Sequence, residues 1–249
     1  MQKQFLFLAI IFILISCGQE QQEQTTQGNS NNAVVDSVAI INDPKNNLNI
    51  QTNSFSEIDS SGILMFPLSM GETGRDDESL SYYKELKSNN YWNIVFLNSK
   101  TNEYHLLSDR KMLINGYNIK YNNSDYINVS QTKNLIFYSI TTDDYNKDKK
   151  LTQEDPNYLF VTDKTGNNFR QISPSNYHLQ NWEYIKSVDK VIMSVKKDSD
   201  KNNKFDDKDE ITTFEIDVDK GTEAKEIFSQ EFKNKLKILY DRDWKRLKK

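Results

Sequence analysis

A single cysteine, Cys17, occurs in 249 residues, so no disulfide within the chain can staple its core. Histidine is nearly as scarce. His105 and His178 stand in different segments, at strand or loop positions, and read as surface or half-buried residues, not as bases. No Gly-x-Ser-x-Gly elbow, His-Glu-x-x-His pair or phosphate loop is present, so no enzyme is expected. Paired carboxylates for glycoside chemistry would have to come from residues such as Asp76, Asp77 or Glu78. No basic stretch with interleaved aromatics stands out, and the formal charge is −4, so nucleic acid is not expected as a partner. The cluster Lys245, Arg246, Lys248 and Lys249 is too short for more than a solvated tail. Long apolar runs are missing too, except at residues 5–15.

That one run, about eleven residues, has the length of an export signal and is too short to span a bilayer. Lys3 gives it a positive start, and it ends in Leu14, Ile15, Ser16 and Cys17. This ending resembles the bacterial lipobox. The resemblance implies a signal peptide over 1–16, cleavage before Cys17, and a lipid on the Cys17 thiol; the alternative is an ordinary secretory signal with a chance cysteine. A tether is expected over 17–35, because 18–32, rich in Gln, Asn, Ser and Thr, lack large apolar side chains and predict disorder. The triplet Asp36, Ser37 and Val38 resembles an O-glycosylation site of Bacteroidetes envelope proteins, although chance accounts for so short a motif. The expected location is the cell envelope, lipid-anchored to a membrane (the outer membrane by expectation) and facing either periplasm or exterior.

The body, roughly 215 residues, is long enough for one domain with a core. It reads as short strands. Three apolar runs, beginning at Ile63, Leu135 and Val191, are each preceded by a lead-in: Phe55 to Ile58, Ile127 to Val129, and Trp182 to Ile185. Each is followed, after an interruption, by a hairpin. The hairpins run from Trp92 through Leu107, from Tyr158 through Ile172, and from Ile211 through Ile227. Three units of four strands follow, at a spacing of roughly 55 to 70 residues, a pattern that suggests propeller blades.

In the middle unit, Tyr158, Phe160, Val161 and Asp163 precede the turn Gly166-Asn167 and then Arg170, Gln171, Ile172 and Ser173. This stretch resembles the third and fourth strands of a TolB-type β-propeller repeat. The resemblance is close over about 16 residues and loose over the three units, and the Pro-Asp-Gly turn of that family is absent. It implies an all-β domain of propeller-like units over 36–228. Three units leave ring closure open.

All three units take their insertion between the second and third strands. In the first it is 70–90, where 76–87 predicts a short helix. In the other two it is an acidic loop. Loop 144–155 places Asp144, Asn146, Asp148, Lys150, Thr152 and Asp155 at positions 1, 3, 5, 7, 9 and 12. Loop 198–209 places Asp198, Asp200, Asn202, Lys204, Asp206 and Asp209 at the same positions. Hard oxygens at 1, 3, 5, 9 and 12, a backbone carbonyl at 7 and an apolar anchor at 8 (Leu151, Phe205) form the ligand order of a calcium loop, and it resembles EF-hands and dockerins. Those continue into a helix, whereas here a strand pattern follows. The loops start 54 residues apart, in register with the repeat, which compositional chance does not explain.

Zinc is disfavoured because neither loop holds His or Cys. Magnesium is disfavoured by its demand for a tight octahedron. Two Ca2+ ions are expected. The second should be held more tightly, because that loop carries four carboxylates against three and has Asn203, not Lys149, at the position that wants a positive φ.

Residues 229–249 change period. Phe232, Leu236, Leu239, Tyr240 and Trp244 form one apolar face of a helix, expected to pack on the last sheet or to bind a partner. The reading is a calcium-binding envelope lipoprotein whose β-repeat domain binds another envelope protein or is structural. The alternative is a glycan-binding or glycan-processing lipoprotein, since thirteen Tyr and three Trp offer rings that stack on sugars.

Overall fold

Short apolar runs between polar turns can bury side chains only by pairing edge to edge and stacking face to face. The chain does both. The computed structural model describes residues 54–69, 90–118, 133–221 and 223–245, all within a body spanning Leu48–Lys249. Cys17, the signal and tether, the 76–87 helix and the lead-in at Ile127 lie outside the described residues.

The described residues form twelve strands and one helix. The first unit is β1 (Ser56–Ile58), β2 (Ile63–Ser69), β3 (Tyr91–Asn98) and β4 (Glu103–Leu106). The second is β5 (Leu113–Asn118), β6 (Leu135–Thr141), β7 (Asn157–Asp163) and β8 (Arg170–Gln171). The third is β9 (Tyr177–Ile185), β10 (Lys190–Lys197), β11 (Glu210–Ile216) and β12 (Lys225–Glu226). Each is an antiparallel meander of four neighbouring strands. A single bridge, Tyr91 to Ile114, joins the first two into one sheet, while the third stands as its own. The fold is all-β with one short helix, and the described strands close no barrel.

Alternation distributes the core between the faces of the middle unit. Ile136, Tyr138, Ile140, Tyr158 and Phe160 pack toward the first unit, against Ile58, Met65, Ile94 and Phe96. Phe137, Leu159 and Val161 point the other way, onto Leu179, Tyr184, Val191, Met193 and Val195 of the third. Because both faces of β6 and β7 are covered, their sequence is nearly continuous in apolar residues, and no polar side alternates with them. Outer strands alternate: in β11, Thr212, Phe214 and Ile216 are buried, whereas Ile211 is exposed. In β9 a bulge displaces Gln180, so Leu179 and Trp182 both reach the same core despite their odd spacing.

Two expectations change. The strand at the edge of β6 is β5, earlier in the chain than the lead-in expected at Ile127. Its alternation is broken by a register shift between Ile114 and Gly116, so its pattern reads as a turn. The terminal helix α1 (Gln230–Asp243) forms, with the Ser229 Oγ accepting from the Phe232 N–H at 3.2 Å as its N-cap. None of its side chains is buried. It turns Lys233 toward the sheet, where the ammonium pairs with Glu226 at 2.7 Å and Glu210 at 3.3 Å. Ion pairs at the edge thus replace the apolar contact expected of Phe232, Leu236, Tyr240 and Trp244, which remain exposed.

Candidate metal centre

Asp and Asn carry their oxygens on one methylene, short enough to accept from the backbone a few residues on and so fold a loop around themselves. Both acidic loops do this with one pattern. At position 1, Asp144 accepts from Asp148 N (3.0 Å) and Lys149 N (2.9 Å). Asp198 accepts from Asn202 N (3.1 Å) and Asn203 N (3.0 Å) in the same way. At position 3, Asn146 accepts from Asp148 N (3.0 Å) and Asp200 from Asn202 N (3.2 Å). At position 5, Asp148 and Asn202 each accept from the N–H of position 7, Lys150 or Lys204, at 2.8 Å.

Position 12 closes the ring in both. Asp155 accepts from Tyr145 N and Thr152 N, each at 2.9 Å. Asp209 accepts from Ser199 N (2.7 Å) and Asp206 N (2.9 Å). Position 9 accepts from position 11: Thr152 Oγ1 from Glu154 N, Asp206 Oδ1 from Lys208 N. The backbone is left-handed at position 6, as expected (Lys149 φ 69°, Asn203 φ 61°). It is also left-handed at position 4, Lys147 and Lys201, which the ligand order did not anticipate.

These bonds leave each carboxylate with lone pairs to spare, since an ionised carboxylate has about four acceptor sites. In the second loop Asp198, Asp200 and Asp209 bring one oxygen each within 4.8 Å of one another. Among the described residues no other acidic triad is this tight, the first loop included. Asp198 and Asp209 are both 8 % exposed, whereas Asp144, the counterpart of Asp198, lies open. An all-oxygen donor set with converging carboxylates fits a hard dication such as calcium.

Electrostatics differ between the loops. Asp155, 1 % exposed, is pushed up by burial, against the pull of three backbone N–H groups and with a further push from Asp144. Asp206 is held down, first by the Lys208 N–H. Anchor Leu151 is buried, and Phe205 is half-buried between Tyr145 (ring centroids 5.0 Å) and His178 (5.6 Å). The first loop is also tied into the fold through amides: Gln153 donates to Asn90, Asn90 to Asn115, and Asn115 to Thr141 and Asn157.

Both histidines have structural duties. His105 stacks on Phe96 at 5.6 Å and bonds the Thr165 carbonyl at 3.0 Å. His178 Nδ1 accepts from Asn157 N at 3.3 Å, and burial, then Lys196, lowers its pKa. Tyr145 escaped the sequence reading altogether. It is the one aromatic residue inside either loop's first five positions, and that oddity was its only signal.

Between the second and third units a cleft of about 540 Å³ is lined by residues 116–118 and 137–139 of the second and by Asn181, Trp182 and Glu183 of the third. No described helix is long and apolar enough to cross a membrane. No protein-family model matches this chain, and no curated protein matches it either.

Proposed function

We propose that the chain is a calcium-stabilised envelope lipoprotein, tethered through Cys17, whose β-repeat domain acts as a binding or structural module. The observation that carries the reading is the repetition of one hydrogen-bond pattern in two loops at equivalent positions of the second and third units. Each loop joins the second strand of its unit to the third, so an ion there would brace a hairpin tip that otherwise gathers carboxylates of one sign. The donors are those already named: Asp144, Asn146, Asp148, Thr152 and Asp155, with the Lys150 carbonyl, and Asp198, Asp200, Asn202, Asp206 and Asp209, with the Lys204 carbonyl. The second site is the tighter one, in keeping with its converged triad. Affinities of about 10⁻⁴ to 10⁻³ M are typical of extracellular calcium modules and suit an envelope. The exposed face of α1, with Phe232, Leu236, Tyr240 and Trp244, supports the protein-binding role over a purely structural one.

Calorimetric titration of the full-length chain with calcium tests this. Two sites in the native chain and one in the Asp198→Ala, Asp209→Ala variant are expected. No heat and no change in melting temperature at millimolar calcium would sink it. The glycan reading keeps one supporting observation, the cleft, where Trp182 lies 4.7 Å from Phe137 among amide side chains. Quenching of tryptophan fluorescence by oligosaccharides, lost in Trp182→Ala, would favour it.

A further inference from the structure

The Tyr145 side chain connects the two loops. Tyr145, position 2 of the first loop, donates its backbone N–H to Asp155 Oδ1 at 2.9 Å and its hydroxyl to Asp198 Oδ2 at 3.1 Å. One residue therefore bridges the carboxylate that closes the first loop and the carboxylate that opens the second. The Tyr145 ring lies 5.0 Å from that of Phe205, the anchor of the second loop. A parallel route leaves the first loop two residues after Asp155: Asn157 N donates to His178 Nδ1, and the His178 ring lies 5.6 Å from that of Phe205. Nothing in a pair of independent hairpin tips requires these bonds, because position 2 of the second loop is Ser199, which reaches no residue of the first.

We propose that the two loops are one coupled calcium-binding unit, in which Tyr145 is a positioning residue that lets ion binding in the first loop raise the affinity of the second. The inference rests on the calcium reading of both loops. Asp198 has its carboxylate fixed by three donors, Asn202 N, Asn203 N and the Tyr145 hydroxyl. The first two belong to its own loop, whereas the third is in place only when the first loop is closed. An ion among Asp144, Asp148 and Asp155 removes their mutual repulsion and closes that loop. The second loop then meets a preset Asp198 and an ordered Phe205, so ordering done for the first ion need not be repeated for the second. By linkage the second ion raises the affinity of the first by the same factor.

The test is calcium calorimetry on four forms of the full-length chain: native, Tyr145→Phe, Asp144→Asn with Asp148→Asn, and all three substitutions together. Tyr145→Phe keeps the ring on Phe205 and removes only the hydroxyl. It should leave two sites but weaken the second by roughly three- to tenfold, the scale of one hydrogen bond. Disabling the first loop should weaken the second by a similar factor, and adding Tyr145→Phe to that background should change nothing further. Melting without calcium, expected to match between native and Tyr145→Phe chains, separates this effect from general damage. Two ions bound with an unchanged or tighter second site in Tyr145→Phe would overturn the coupling and leave the calcium reading standing. Independent, additive losses would overturn it too. A native chain that binds no calcium would overturn both.

Discussion

Gly166 lies against Phe96 where the second unit meets the first, and replacing it with alanine should destabilise the protein by an amount the structure predicts. Its φ is +84°, a left-handed conformation that costs a residue with a Cβ about 1 kcal/mol. The new Cβ would also stand 2.4 Å from Cδ2 and 2.5 Å from Cγ of Phe96, far inside the roughly 3.5–4.0 Å at which carbons attract. Phe96 has little room to yield. It is 1 % exposed, and His105 stacks on it while bonding the Thr165 carbonyl of the same turn. Overpacking of this kind costs about 1–3 kcal/mol, so the total is about 2–4 kcal/mol. At about 2–4 °C per kcal/mol for a body of this size, the melting temperature should fall by roughly 5–15 °C. Two other glycines separate the terms. Gly221 also has a positive φ, +60°, but open space around its Cβ, so Gly221→Ala should cost about 1 kcal/mol. Gly116 has open space and an ordinary φ, so Gly116→Ala should be neutral or slightly stabilising. Thermal melts followed by circular dichroism give all three. If Gly166→Ala melts with Gly221→Ala, the close packing of the second unit on Phe96 is wrong.

A charged clamp joins the second unit to the third: Lys133 pairs with Asp189 and, at 2.7 Å, with Asp219, and Tyr184 donates to Asp189. Hydrogen bonds from Lys133 and then Tyr184 hold Asp189 below its ordinary 3.8, so its contribution is complete above about pH 4 and is lost as pH falls through the lower folded value. Hydrogen bonds to Asp189 and Asp219 raise Lys133 above its ordinary 10.5, so its share is present below that value and is lost as pH rises through the folded one. Asp189 is 45 % exposed, so screening limits the clamp to about 0.2–1 kcal/mol; the gap in melting temperature between native and Lys133→Met chains should be open at pH 7 and narrow both below pH 4 and in high salt. Tyr138→Phe should cost about 1–3 kcal/mol by urea denaturation, because the buried Thr162 hydroxyl loses its 2.8 Å partner. Thr162→Val in the Tyr138→Phe background should recover much of that loss, and no recovery would contradict the pairing.

Most strands were legible in the sequence because their cores are short and apolar. Ile63, Leu135, Tyr158 and Val191 begin or nearly begin strands where the pattern placed them. β5 was not legible, since Gly116 and a register shift break its alternation and its partner β6 is remote in sequence. The acidic loops were visible as a spacing, and the helix as a period. Their surroundings were not. Nothing local says that Tyr145 meets Asp198, because that contact depends on how the second and third units stack. For the same reason the period of α1 fixed which residues share a face, but not that Lys233 would turn to the sheet and leave Trp244 exposed.

The most direct test of the central claim is diffraction from crystals grown with calcium and then with terbium, whose anomalous signal marks the ion. The account predicts one peak inside each loop, about 2.3–2.6 Å from oxygens of Asp144, Asp148 and Asp155 and of Asp198, Asp200 and Asp209, with the second loop filling first as terbium is raised. Loops that keep their hydrogen bonds and show no peak at millimolar ion would contradict it, and would make them acidic turns that fold on their own backbone.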